Sequence, residues 1–194
     1  MIGATLKQRA RRVRSVTVAD LEFTVTDAEG DWFPARLYPP RDADARQDGS
    51  PRDTAPRSRL VFHRDAPTLG PSDRVELHGD PATYELLTAP EPIRHGERVG
   101  GYEVEVLDTD VLYPNAGDIE DTGSAEAVPF SLYTGSEDVL GHGDYDTYEA
   151  EAPAEFAGTL GSNTVLVCGE TRWRAISAVI DFQVPHVRLR LRGA

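Results

Sequence analysis

Residues 185–192 read Pro-His-Val-Arg-Leu-Arg-Leu-Arg. Val187, Leu189 and Leu191 fall on one parity and Arg188, Arg190 and Arg192 on the other. Period-2 alternation puts successive side chains on opposite faces of a strand, so this segment predicts a strand with one buried side and one cationic side. Working back along the chain, the same grammar recurs in short pieces. Residues 164–168, 172–176 and 177–182 predict strands around a turn at Gly169-Glu170. Val128–Thr134 and Tyr102–Leu107 predict two more, as do Arg59–His63, Asp73–His78 and Tyr84–Leu87. Nearer the N-terminus, residues 15–26 predict strand broken near Ala19-Asp20, and Trp32–Tyr38 predicts a short edge strand closed by Pro39-Pro40. Short strands punctuated by Gly, Pro and Asp indicate an all-β fold, a small antiparallel barrel or sandwich with long acidic loops.

The expected organisation is a basic N-terminal arm over 1–14, either a short helix or a disordered end. A β-barrel core follows over 15–107, and residues 108–194 supply acidic loops and C-terminal strands that complete or extend that barrel. Residues 41–58, RDADARQDGSPRDTAPRS, contain no apolar residue larger than Ala and predict a projecting loop, extended and poor in contacts with its own chain. Residues 108–127 and 135–158 predict acidic loops, with a helical turn somewhere between Tyr148 and Phe156. Thr68-Leu69-Gly70, a strand and Gly79 are echoed by Thr159-Leu160-Gly161, a strand and Gly169. The plain reading is hairpin grammar shared by many small barrels, and a duplicated unit is the alternative.

Charge is segregated. The 194 residues carry 20 Lys plus Arg, a single one of them lysine (Lys7), against 33 Asp plus Glu, for a net charge of −13. Residues 1–14 hold Lys7, Arg9, Arg11, Arg12 and Arg14 and no acid. Residues 172–194 hold five arginines against Asp181, whereas residues 99–171 hold 16 acids and neither Lys nor Arg. Such a balance disfavours nonspecific gripping of nucleic-acid phosphates by the whole surface. It marks Lys7, Arg9, Arg11, Arg12, Arg14, Arg188, Arg190 and Arg192 as candidate interface residues and Asp118, Glu120 and Asp121 as candidate acids of a loop or lumen. A solvated, solubilising acidic surface is the simpler account of the middle.

No nucleophile elbow, zincin helix, P-loop or dinucleotide-binding glycine pattern occurs. His63, His78, His95, His142 and His186 are scattered, and Asp144-Tyr145-Asp146 near Glu149 lacks the ligand spacing of a calcium loop. Cys168, the one cysteine, ends an apolar run and suits a small core position. The chain is therefore expected to be no enzyme and to need no cofactor or metal. No run of 18 apolar residues occurs, so no membrane is expected as a partner.

The block from Val61 to Leu107 resembles the head-to-tail stopper (head completion or head closure) proteins of long-tailed phages. The residues that carry the likeness are Asp73-Arg74-Val75, Gly79, Tyr84-Glu85-Leu86, Pro90-Glu91-Pro92 and Gly101-Tyr102-Glu103-Val104, with the 41–58 loop in the position of a long variable loop. With that loop the resemblance runs over residues 41–107, about a third of the chain. It implies a structural virion protein, found in the virion neck and, during assembly, in the host cytoplasm. It further implies a homo-oligomeric ring that meets portal or adaptor proteins and tail proteins. Packaged DNA would pass through the lumen without sequence-specific binding, and the loops would help retain it until ejection. Alternatives are another neck or tail-tube component such as a tail terminator, a small hydrolase or metal-dependent enzyme using His142, Asp144 and Asp146, or a monomeric extracellular binding module.

Overall fold

The computed structural model describes residues 6–20, 22–27, 29–40, 49–120, 127–134 and 147–194. The chain is nearly all β, and it divides into two compact units. Unit 1 comprises Met1–Asp44 and Pro56–Asp110, and unit 2 comprises Ala45–Ala55 and Val111–Ala194.

In unit 1, strands β1 (Gln8–Ala19), β3 (Phe33–Tyr38), β4 (Ser58–His63), β8 (Arg98–Asp108), β6 (Thr83–Leu86) and β5 (Arg74–Leu77) pair antiparallel in that order. Pairing of β5 with β1, Ala10 opposite Leu77, closes the ring. β2 (Glu22–Asp27) extends the free end of β1, and β7 (Glu91–His95) pairs with β8. The interior is filled by Ala10, Phe33, Ala35, Leu60, Phe62, Val75, Leu86, Val104 and Val106 among others. Phe62 stands edge-on to Phe33 and stacks on Tyr102, at ring separations of 5.8 and 5.7 Å. Alternation places the apolar set of each strand inward, and closure leaves no ladder of the ring unpaired.

Unit 2 is a second closed barrel, with β9 (Asn115–Ile119), β10 (Val128–Thr134), β11 (Thr147–Pro153), β14 (His186–Gly193), β13 (Thr171–Asp181) and β12 (Val165–Cys168) in cyclic order. The strand expected over 186–192 is β14. Val187, Leu189 and Leu191 are buried at 0%, 3% and 0% exposure, while Arg188, Arg190 and Arg192 face out. Cys168 is half-buried and packs against this core.

Numbered along the chain, the six ring strands of each unit follow one cyclic order: first, second, third, sixth, fifth, fourth. The sequence echo lies at matching places, before the fourth strand. There Ser72 and Asn163 both adopt positive φ, 65° and 75°. Gly70 N donates to Asp73 Oδ2 (3.0 Å) and Gly161 N to Thr164 Oγ1 (2.9 Å). Ser72 N donates to Leu86 O and Asn163 N to Ala175 O, both at 2.8 Å, and the return bonds Leu86 N to Asp73 O and Ala175 N to Thr164 O are also shared. Hairpin grammar alone does not repeat at this level. The two barrels are copies of one architecture, and the duplicated-unit alternative is the one the geometry favours.

Several expectations change. The basic arm is neither helix nor loose end over its described part, because Gln8–Ala19 is a single strand that pairs with β2, β3 and β5. β3 is not an edge: β1 takes Phe33–Ala35 and β4 takes Ala35–Tyr38. The region expected as acidic loop contains β9 and β11, and the helical turn is the 3₁₀ segment Ala154–Phe156 that follows β11. β11 reads Thr-Tyr-Glu-Ala-Glu-Ala-Pro, and its inward residues are Tyr148 and two alanines, Ala150 and Ala152, whose weak strand preference is overridden by packing.

In the second barrel, a Cβ built on Gly117 would sit 3.1 Å from the Phe130 ring and 3.3 Å from Val167 O. Neither neighbour is the loose end of a chain. Gly117→Ala is expected to lower the unfolding free energy by about 1–3 kcal/mol through overpacking. Gly161→Ala, with nothing within 4 Å, should cost far less. Thermal melting of the two variants side by side measures the difference.

Candidate functional site

The sequence-derived candidates fall into separate surroundings. Lys7 is exposed ahead of β1, and Arg9 reaches Trp32 O at 3.1 Å. Arg11 pairs with Glu76 and Glu29 and lies over the Trp32 ring. Arg12 donates to Thr68 O at 3.1 Å, with the buried Asp73 carboxylate 3.9 Å away, and Arg14 holds Asp27 at 2.7 Å. The basic segment marked as a candidate interface thus spends Arg11, Arg12 and Arg14 on acids of its own barrel. Asp118 is exposed on β9, Glu120 pairs with Arg172, and Asp121, like His142, Asp144 and Asp146, lies outside the described residues.

Arg190 and Arg192 carry no ion pair among the described residues, and Arg188 lies 3.6 Å from Asp181. They line the outer face of β13–β14 with Arg174, which stands directly opposite Arg192. Like charges directly opposite repel. A register shift between Ala175 and Ser177 leaves Ile176 at 45% exposure, and Val179, opposite Arg188, is 59% exposed. Arginines around exposed aliphatic side chains make a face suited to protein contact.

A second constellation was not expected from sequence. Glu149 and Glu151 share the outward parity of β11, yet Glu151 is 1% exposed. It is covered by the described part of the segment expected to project freely. Pro51–Thr54 forms one helical turn, α1, capped by Ser50, whose Oγ accepts from Arg52 N. Composition misled because burial here is polar: Ser50 Oγ donates to Glu151 Oε2 at 2.6 Å, Arg52 Nε lies 3.5 Å from the same oxygen, and Arg52 Nη2 donates to Tyr113 Oη at 2.9 Å. Tyr133 Oη donates to the other carboxylate oxygen at 3.3 Å. Ser50 followed by Pro51 is a helix-start signature, N-cap then first helical position, and was the signal available in the sequence.

His186 borders this cluster, its Nε2 3.7 Å from Glu151 Oε1. Nδ1 lies 2.5 Å from Val184 O, and Arg188 Nε donates to Nε2 at 3.2 Å. These contacts assign the neutral tautomer with its proton on Nδ1. Burial, then the Arg52 charge, holds the imidazole below the ordinary histidine pKa, outweighing Glu151 and Asp181. Burial followed by the Glu151 charge likewise pushes Tyr133 up.

No family model, no curated protein and no solved structure matches this chain. Among the described residues, no group of His, Cys, Asp and Glu could hold a metal ion, and no helix is long and apolar enough to cross a membrane. The cluster around Glu151 has no chemistry of an obvious kind. Its hydroxyl and guanidinium neutralise a buried carboxylate and fix residues 50–54 to the second barrel.

Removing one partner of a buried ion pair strands the other, so Arg52→Ala is expected to cost about 3–5 kcal/mol. Ser50→Ala leaves the carboxylate one donor short and should cost about 1–3 kcal/mol. Urea unfolding followed by Trp173 fluorescence checks both. Because folding lowers the His186 pKa, the unfolded chain binds the extra proton first. The His186 contribution is intact above about pH 6.5 and declines as pH falls toward the folded-state value. His186→Asn should flatten that part of a stability–pH profile, and an unchanged slope would count against the assigned neutral imidazole.

Proposed function

We propose that this chain is a structural subunit of a tailed-phage neck, a head-to-tail connector of the stopper kind that assembles as a ring. The reading rests first on the outer β13–β14 face. Val179 and Ile176, exposed at 59% and 45%, sit among Arg174, Arg188, Arg190 and Arg192 on a chain of net charge −13. A face of that chemistry suits an acidic protein partner, and another copy is one. It is supported by the resemblance over Val61–Leu107, residues that form the second half of β4, all of β5, β6 and β7, and most of β8 in unbroken succession. A heterologous contact between two different faces of one chain closes into a ring when the rotation allows. Portal or adaptor proteins and tail proteins would flank the ring, in the virion and, before that, in the host cytoplasm.

An acidic lumen fits the same proposal. Residues 99–171 hold 16 acids and no Lys or Arg, and those that are neither buried like Glu151 nor ion-paired like Glu103 would repel DNA phosphates and let a duplex slide without being gripped. Asp118 is exposed and available for such a wall, whereas Glu120 is partly neutralised by Arg172. No catalytic step is assigned to the chain.

The test is assembly. Purified protein mixed with portal-bearing heads and with tails should join them in electron micrographs. Arg190→Glu with Val179→Asp should reduce joining by about tenfold or more, since exposed pairs contribute about 0–1 kcal/mol each and the apolar contact is lost as well. The contact should weaken with salt, because screening shortens to about 3 Å at 1 M. A protein that remains monomeric and joins nothing overturns the reading.

A further inference from the structure

The two barrels carry opposite charge at the same place in the ring. The sixth ring strand is β8 in the first barrel and β14 in the second. Val104 and Val106 turn inward on β8, and Leu189 and Leu191 do so on β14. The outward residues between and beside them are Glu103 and Glu105 on β8 but Arg188 and Arg190 on β14. The neighbouring third strand reverses with them: Arg59 stands opposite Glu105, and Glu149 opposite Arg190.

Each sheet also holds a pair of like charges. Arg174 of β13 stands opposite Arg192, and Glu91 of β7 stands opposite Glu103. Like charges set directly opposite destabilise a sheet. Arg59 answers Glu103 at 3.3 Å. Glu91, Arg174 and Arg192 are exposed and have no ion pair among the described residues. Each pair is a cost to its own barrel and the complement of the other pair. Aliphatic side chains accompany both. Ile93 shares the outward parity of Glu91, opposite Gly101, and Val179 and Ile176 are exposed on β13. Alternate residues of any strand lie about 6.6–6.8 Å apart, so a row of outward arginines and a row of outward glutamates keep step.

We propose that the outer β13–β14 face of one copy docks on the outer β7–β8 face of a neighbouring copy, with Arg174 and Arg192 against Glu91 and Glu103. This contact rests on the connector reading, which takes β13–β14 as a contact surface, and names what that surface meets. The two faces occupy equivalent places on two versions of one barrel, so they meet as an isologous pair would. They belong to different units, however, and each copy keeps one face of each kind for its other neighbour, as a heterologous ring requires.

Two single changes to the full chain test it. Arg192→Glu sets an acid opposite Arg174, and Glu91→Arg sets a base opposite Glu103. Each removes a like-charge pair within its own sheet, so neither should lower the thermal melting temperature. Association is followed by sedimentation velocity at low salt, where wild-type copies should associate. Either variant alone presents like charges to its neighbour and should associate about fivefold more weakly, the equivalent of about 1 kcal/mol. An equal mixture of the two variants restores opposite charges at every contact and should associate as wild type does. A chain carrying both changes should do the same. Wild-type copies that stay monomeric, weakening by one change only, or a mixture no better than either variant overturns the docking. If such a protein still joins heads to tails, this contact is rejected and the connector reading stands. Association restored by mixing, without any joining of heads to tails, keeps the contact and overturns the connector reading.

Discussion

The carboxylate of Glu151 is out of water, and the arrangement around it follows from that. An ionised carboxylate in an apolar setting is too costly to persist without partners. Ser50, Arg52 and Tyr133 supply them, and His186 stays neutral beside them. Residues 50–54 are consequently held by electrostatics and hydrogen bonds on a surface that apolar packing would have left bare. Loss of either partner of such a pair strands the other charge out of water, so the segment is held to the one position that satisfies this set of donors.

The barrels show how one architecture tolerates different side chains. In the first, Ala35 faces Phe62 across β3–β4, and the corresponding positions of the second are filled by Phe130 and Ala152. Volume is exchanged between strands with a large residue and a small one kept in each pair, as close packing requires. What survives the exchange is the turn before the fourth strand, because its positive φ and its two-way hydrogen bonding to the fifth strand set where the ladder begins.

Much of the fold was legible where one face of a strand is aliphatic and the other charged. β14 is the clearest case, since Val187, Leu189 and Leu191 have no other way to leave water together. β11 was illegible because Ala150 and Ala152 are too small to advertise a buried face, and β9, Asn-Ala-Gly-Asp-Ile, because Gly117 precedes Ile119, its one large inward residue. β1 was hidden by its arginines, whose acid partners lie 13 residues on for Arg14 with Asp27 and 65 residues on for Arg11 with Glu76. The candidate site divides the same way. The arginine row of β14 can be read from period-2 alternation, whereas the Glu151 cluster depends on a contact across 101 residues that no local pattern encodes.

That separation also orders events during synthesis. Ser50 and Arg52 leave the ribosome about 100 residues before Glu151, an interval of roughly 5–20 s at ordinary elongation rates. From the emergence of Asp108 onward the first barrel has every strand it needs, while Arg52 has only water and Tyr113, when that arrives, to bond. The segment must therefore remain soluble on its own until the second barrel closes beneath it. A stretch with no side chain more apolar than Ala or Pro meets that demand, so the composition that looks like that of a loop is suited to a late-docking piece of a folded domain.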